Sequence, residues 1–341
     1  MDNLIFALNA ILPIVLLMVL GYYLKRKNFL TEGFVKIANK VVFKVALPVS
    51  LFLNIYQIES LSSINWSVVL YSVCIIVSFF IISFILVMLF VKKDEQRGVI
   101  IQAFVRSNYA IVGTPLIVFM AAGNANAAAV GSIIMLFIIP LTNVLAIIGL
   151  MIFIKAEGQK KVSPLDIAKK IITNPLIIGI LTGFLFVLTR EFILPRNSAG
   201  ALVFSVQRDI QFLYTALKQI GSLATPLALI VLGADFEFSE VKSMLKEIVI
   251  GTLGRVVIAP LVGLGIAIIL VQQGVLNFGV NEFPALIALF CAPAAVSSVA
   301  MAIEMDNDGK LAAQLVVWST IFSAISIFIA VFTFKSMGYL G

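Results

Sequence analysis

The chain has 341 residues, of which 61% are hydrophobic and only 12% charged, with a mean hydropathy of +1.12. A soluble domain of this size cannot solvate its surface with so few charges, and apolar runs of about 20 residues rather than about 10 indicate membrane-spanning helices rather than a β-barrel. The net charge of +7 does not mark a nucleic-acid partner, because the basic residues lie mostly between apolar runs, where they orient a protein in a bilayer.

The chain reads as an all-α integral membrane protein with ten transmembrane helices. The first span runs from about Leu4 to Leu24, with Lys25, Arg26 and Lys27 behind it. A secretory signal carries its charges in front and a cleavage site behind, so this run is expected to stay as a first helix with its N-terminus outside. Span two covers about Phe34 to Tyr56 and contains Pro48; span three covers about Ile64 to Val91. The fourth, Gly98 to Ala121, is interrupted by Arg106, Ser107, Asn108, Gly113, Thr114 and Pro115. The expected break is at Thr114-Pro115, where proline removes a donor and disfavours helical geometry in the residue before it. A turn at Gly123-Asn124-Ala125-Asn126 leads to span five, about Ala127 to Lys155.

Glu157 to Lys161 reads as a polar linker, and Ser163 to Lys170 as a short amphipathic surface helix with Ser163 as N-cap and Pro164 first in the helix. Span six begins near Asn174-Pro175 and ends near Thr189, followed by an outside loop from Arg190 to Arg208. Span seven covers about Gln211 to Gly233 with Pro226 inside it, and span eight about Met244 to Val271. The ninth, Phe283 to Met301, is broken at Pro293; Asp306, Asn307 and Asp308 then turn the chain and cap span ten, about Gly309 to Phe334.

The charges test the count. The loops after the odd spans hold 15 of the 24 basic residues, from Lys25 through Lys92, Lys155 and Lys242 to Lys310, while the opposite side holds Arg190, Arg196, Arg208 and Lys335. This places the odd-to-even loops in the cytoplasm and both termini outside a cytoplasmic membrane.

Two interrupted helices in corresponding halves are the usual pointer to a transporter's binding site, because non-helical backbone survives at membrane depth only when buried in protein or lining a cavity. Five spans per half would make the halves inverted relative to one another. Pro48 and Pro226 are separated by the same 178 residues as Pro115 and Pro293, and ALPVSLFL resembles ATPLALIV around the first pair. Residues 1–157 and 158–341 are therefore the expected first and second five-helix repeats, with kinks of separate origin as the plainer alternative.

The run RSNYAIVGTPL, Arg106 to Leu116, resembles the signature of the auxin efflux carrier family in its bacterial, malate and malonate permease-like branch. NPLIIGILTGF in span six, TPLALIVLGADF in span seven and APAAVSSVAMA in span nine resemble it too, so the likeness covers nearly the whole chain. The resemblance implies inverted repeats, a scaffold domain from spans one, two, six and seven, and a moving transport domain from spans three to five and eight to ten. It implies that spans four and nine cross near the midplane with substrate beside the crossing, and dimers formed through the scaffold domain. The long loop of the plant members is absent here.

Helix N-termini resuming after each break favour an anion. The candidate substrate-binding residues are Arg106, Asn108, Thr114, Pro115, Ala292, Pro293, Ser297 and Ser298, with packing as the alternative reading of the serines. Arg106 lies about 12 Å into a core of about 30 Å. It either clamps a carboxylate, or snorkels or holds backbone carbonyls. Asn143, Asp235, Arg255 and Gln314 are candidates for the pathway or for coupling. Arg255 has carbonyl capping as its alternative, and Asp235 a helix-capping role.

The chain has no histidine, and Cys74 and Cys291 both sit in apolar runs, so no metal, no cofactor and no enzyme chemistry are expected. The expected function is a secondary transporter of small organic anions, mono- or dicarboxylates such as malate or malonate, working by an elevator-type mechanism. The alternative is a sodium-coupled symporter of bile-acid-like amphipathic anions. The span-nine break, CAPAAVSS, contains no carboxylate to help hold sodium, which favours the first.

Overall fold

The computed structural model describes residues 2–57, 65–121, 123–153, 169, 172–193 and 204–340, and these are all-helical apart from turns and one isolated bridge. The expected linker 157–161 and nearly all of the expected surface helix 163–170 lie outside the described residues.

The helices are α1 (Asp2–Arg26), α2 (Glu32–Val41), α3 (Leu47–Tyr56), α4 (Trp66–Phe90), α5 (Asp94–Val105), α6 (Thr114–Ala121), α7 (Ala125–Ile152) and α8 (Pro175–Phe192). They continue as α9 (Gln211–Ser222), α10 (Ala224–Asp235), α11 (Leu245–Leu253), α12 (Ala259–Gln272), α13 (Phe283–Cys291), α14 (Ser297–Glu304) and α15 (Gly309–Ser336). Five described stretches are long and apolar enough to cross a membrane: Trp66–Phe90, Asn126–Ile152, Gln211–Asp235, Leu245–Gln272 and Gly309–Ser336. Tyr109–Ala121 and Pro175–Arg190 are shorter apolar helices.

Side-chain caps set several helix starts by accepting from backbone N–H groups that have no partner within the helix. Asn65 caps α4 through Ser67 N (3.1 Å), Asn124 caps α7 through Asn126 N (3.0 Å), and Asn174 caps α8 through Leu176 N (2.9 Å). Asp308 caps α15 through Leu311 N (2.9 Å), the role its position after the Asp306 turn predicts.

Three π-helical turns interrupt the regular helices, at Val42–Ala46, Tyr109–Gly113 and Gly254–Ile258. Each ends two residues before a proline: Pro48, Pro115 and Pro260. The physical reason is common to all three. Proline has no N–H to donate and its ring crowds the carbonyl four residues back. A single wider turn moves that carbonyl aside, so the helix runs on through the proline.

This corrects the expected break of the fourth span. Thr114 is helical (φ −61°, ψ −50°), its N–H reaches Tyr109 O, and Pro115 sits exposed in the first turn of α6. The true break lies earlier, at Arg106-Ser107-Asn108. The ninth-span break falls at Pro293 as expected, between the end of α13 and the start of α14. The shared 178-residue spacing therefore does not mark equivalent places at Pro115 and Pro293.

The broken helices form the centre of the molecule. Every residue from Phe283 to Cys291 is buried, as is every residue from Gly98 to Val105, so both helices are enclosed on all sides. Around them pack α4, α7, α11, α12 and α15. A second group joins α1 to α10 and α3 to α8 and α9. Glycine makes the first of these contacts close: a Cβ on Gly21 would strike the Ile230 backbone, and one on Gly233 the Met18 backbone.

Candidate substrate site at the helix crossing

The two breaks meet. Ser107 and Ala294 form an antiparallel bridge, with Asn108 N donating to Pro293 O (2.8 Å) and Ala295 N to Arg106 O (3.0 Å). Each interrupted segment thus supplies the partners that the other lost by leaving helical geometry, as buried backbone requires. Ala294 N is satisfied by Ser319 Oγ of α15 (3.1 Å).

The carbonyls at the ends of α5 and α13 converge on Arg255. Its guanidinium, with no exposed surface, donates to Ala292 O (2.8 Å), Phe104 O (3.1 Å), Leu289 O (2.6 Å) and Phe290 O (3.1 Å). A cation is electrostatically suited to that place, since two helix C-termini point their negative ends there. The π turn Gly254–Ile258 carries Arg255, and Gly254 beside it leaves no room for a Cβ against the Phe104 ring.

Arg106 is buried on the other flank of the crossing. It donates to Ser297 Oγ (2.7 Å) and Asn143 Oδ1 (3.1 Å) through Nη2, and to Ser298 Oγ (3.3 Å) and Met301 Sδ (3.6 Å) through Nη1. The Asn143 amide is held in register by Nδ2 donating to Ile139 O (2.7 Å). Turning the Gln102 amide lets its oxygen accept from Arg106 Nη1 (3.2 Å) and its nitrogen donate to Ser298 O (3.2 Å), which satisfies both ends. Among the described residues Arg106 has no carboxylate in ion-pair range; its protein partners are all neutral.

Two polar atoms at the crossing have no partner: Asn108 Nδ2 and Ser107 Oγ are buried and unbonded. An unmet buried donor is unfavourable by about 1–3 kcal/mol, so it favours an arriving acceptor. Ser297 is only half-buried, so the cluster around Arg106 is partly exposed at that residue.

The structure therefore brings together Arg106, Asn108, Asn143, Ala292, Pro293, Ser297 and Ser298. Thr114 is outside this cluster, half-buried and back-bonded weakly to Tyr109 O (3.5 Å), and Pro115 is one residue beyond it. Gln314 is buried away from the guanidinium, with Nε2 donating to Glu237 O (2.8 Å) and Oε1 accepting from Trp318 (3.1 Å). Asp235 ends α10 half-buried, within electrostatic reach of Lys25, Glu32, Lys36 and Glu237. Gln102, Met301 and Ser319 belong to the crossing and are not evident from the sequence, and Ser107, read there only as an interruption of the span, belongs to it as well. The only signal for Gln102 is its place one helical turn before Arg106.

A multi-pass helical membrane protein with two broken helices paired beside two buried arginines has the build of a transporter. A family profile described as membrane transport protein matches residues 6–331, and the chain belongs to that family, the auxin efflux carrier-like membrane transporters. It is similar to an uncharacterized transporter of Methanothermobacter thermautotrophicus, 26% identical over 326 residues that cover 94% of this chain and 95% of the relative. It is also similar to the uncharacterized transporter MJ1031 of Methanocaldococcus jannaschii, 24% identical over 328 residues covering 94% and 96%. Both relatives are archaeal and are described as transporters.

Proposed function

We propose that this transporter moves small organic anions, mono- or dicarboxylates of malate or malonate size, across the cytoplasmic membrane. The observation that carries this reading is Arg106: a buried guanidinium whose protein partners are all neutral and which an arriving carboxylate can take in a bidentate grip. Ser297, Ser298 and Asn143 hold the fork in place while the site is empty and give way to stronger, charge-assisted bonds. Asn108 Nδ2 and Ser107 Oγ are available for the substrate's other oxygens. No bond of the substrate is made or broken.

The mechanism is an elevator. Spans one, two, six and seven serve as the scaffold, and spans three to five and eight to ten carry the crossing past it. Support comes from the way the helices group: α1 with α10 and α3 with α8 and α9 on one side, and α4, α5 and α7 with α11 to α15 on the other, with α1 packed on α15 where the two groups meet. The pairing of span one with seven beside that of two with six is what two inverted five-helix repeats would produce. Ten spans with both termini outside follow from the lysine and arginine distribution.

Uptake of labelled malate into proteoliposomes, with and without a sodium gradient, tests the proposal. Sodium-independent uptake blocked by malonate is expected. Uptake that needs sodium, or that only a bulky amphipathic anion blocks, overturns it.

A further inference from the structure

Helix α11 stands between two grooves, each of about 760 Å³. One runs along α11, α12 and α15, between Leu245 and Thr333. The other lies toward the end of α4, against Leu86, Phe90 and Phe104. Leu245, Val249 and Leu253 form a shared wall, an exposed apolar ridge with a groove on either side. The first groove is otherwise almost wholly aliphatic and aromatic; the second has an apolar floor and the polar residues Lys242, Ser243, Lys246 and Glu247 at one end.

The mouth of this arrangement has a different character. Lys242 and Lys246 line the second groove and are exposed, and Lys92 and Lys93, also exposed, follow Phe90 after the buried Val91. Of the acidic groups nearby, Glu240 is engaged by Lys310 (2.6 Å), with Glu237 at 3.9 Å from the same nitrogen. Asp94 pairs with Arg97 (2.7 Å), and Glu247 and Glu95 offset two of the four lysines, which leaves the mouth with a net positive charge. Two apolar channels that share a ridge and open under a net-positive lysine cluster match a two-chain lipid with an anionic headgroup. A neutral lipid would leave the lysines unused, and a second copy of this chain would bring the same lysines to the contact.

We propose that the paired grooves flanking α11 hold an anionic phospholipid of the leaflet at the basic end of this span, its headgroup on Lys242 and Lys246 and one acyl chain on each side of the Leu245–Leu253 ridge. The site is separate from the helix crossing and its occupant is not transported.

The test uses the purified full-length protein, stripped of lipid in detergent, with phosphatidylglycerol or phosphatidylcholine added in mixed micelles. Phosphatidylglycerol should raise the melting temperature by about 2–4 °C more than phosphatidylcholine does. The double substitution Lys242→Gln/Lys246→Gln, at exposed positions, should keep the phosphatidylcholine response and lose the excess. Val257→Trp, which fills the first groove only, should weaken the response to both lipids. Equal responses to the two lipids, or an excess that survives the double substitution, would overturn the proposal. So would a wild-type dimer that Val257→Trp dissociates, since a second copy would then be the occupant.

Discussion

Arg106 and Arg255 lie on opposite flanks of one backbone crossing and use their guanidinium groups in opposite ways. Arg255 spends its donors on four main-chain carbonyls, while Arg106 donates only to side chains. Main-chain carbonyls cannot leave without undoing the break; side-chain oxygens can rotate away. On the proposed reading Arg106 is therefore the exchangeable arginine, and Arg255 is the fixed support.

Replacing Arg106 separates these roles. Arg106→Ala should lower malate flux at least about tenfold while the protein still folds, because its partners are neutral groups whose loss leaves no charge stranded. Arg106→Lys keeps the charge without the planar fork and should fall between the two. Flux in proteoliposomes beside a melting curve checks this; unchanged flux in Arg106→Ala would remove it from the site.

Arg255→Met should act on stability first. Four carbonyls at the ends of α5 and α13 lose their donor in a place no water reaches, a loss of at least about 3 kcal/mol. The expected result is a lower melting temperature and poor yield, with Arg255→Lys recovering part of both. A variant with wild-type melting would mean that the crossing is held by its backbone bridge alone.

The two prolines should now part company. Pro115→Ala lies on an exposed helix turn already adapted by a π turn, so flux within about twofold of wild type is expected. Pro293→Ala adds a buried N–H in the crossing and a residue that favours continuing the helix, so a fall of about three- to tenfold is expected. Equal effects at both positions would contradict the placement of the break.

Much of this was legible in the sequence. Composition defines the class, Asn174-Pro175 and Asp308 announce helix starts, and Pro293 marks a true break. Pro115 misled because a proline signals missing donor capacity, and whether a helix breaks or widens by one turn depends on what packs around it. Arg106-Ser107-Asn108 shows locally only as polar residues that interrupt an apolar run; that the chain leaves helical geometry there, rather than at Pro115, depends on the backbone partners the other break offers. For Arg255 the alternative of carbonyl capping is the one the structure shows, but which carbonyls it holds was not legible, because the four acceptors are main-chain atoms from two distant helices.

Topology has its own check. With Cys74→Ser to remove the exposed thiol, Gly338→Cys should react with an impermeant maleimide in right-side-out vesicles and not in inverted ones. Labelling only in inverted vesicles would reverse the assignment of both termini.

The elevator reading makes one sharper demand, at Lys44 and Glu304. Glu304 ends α14, the helix that resumes after the ninth-span break, and α14 packs on the π turn Val42–Ala46. There Lys44 Nζ lies 3.6 Å from the Glu304 carboxylate, with Lys44 about half exposed and Glu304 largely covered. If the helices of the crossing slide past span two, this pair exists in one position of the slide and is broken in the other. Partly exposed pairs contribute about 0–1 kcal/mol, enough to shift a two-state balance by up to about fivefold. Lys44→Glu alone or Glu304→Lys alone should therefore change the uptake rate by up to about fivefold without changing the melting temperature. The double exchange Lys44→Glu/Glu304→Lys should bring the rate back toward wild type, because the attraction is restored with its sign reversed on each side. Singles that leave uptake unchanged, or a double exchange no better than the worse single, would mean that this contact does not open during transport.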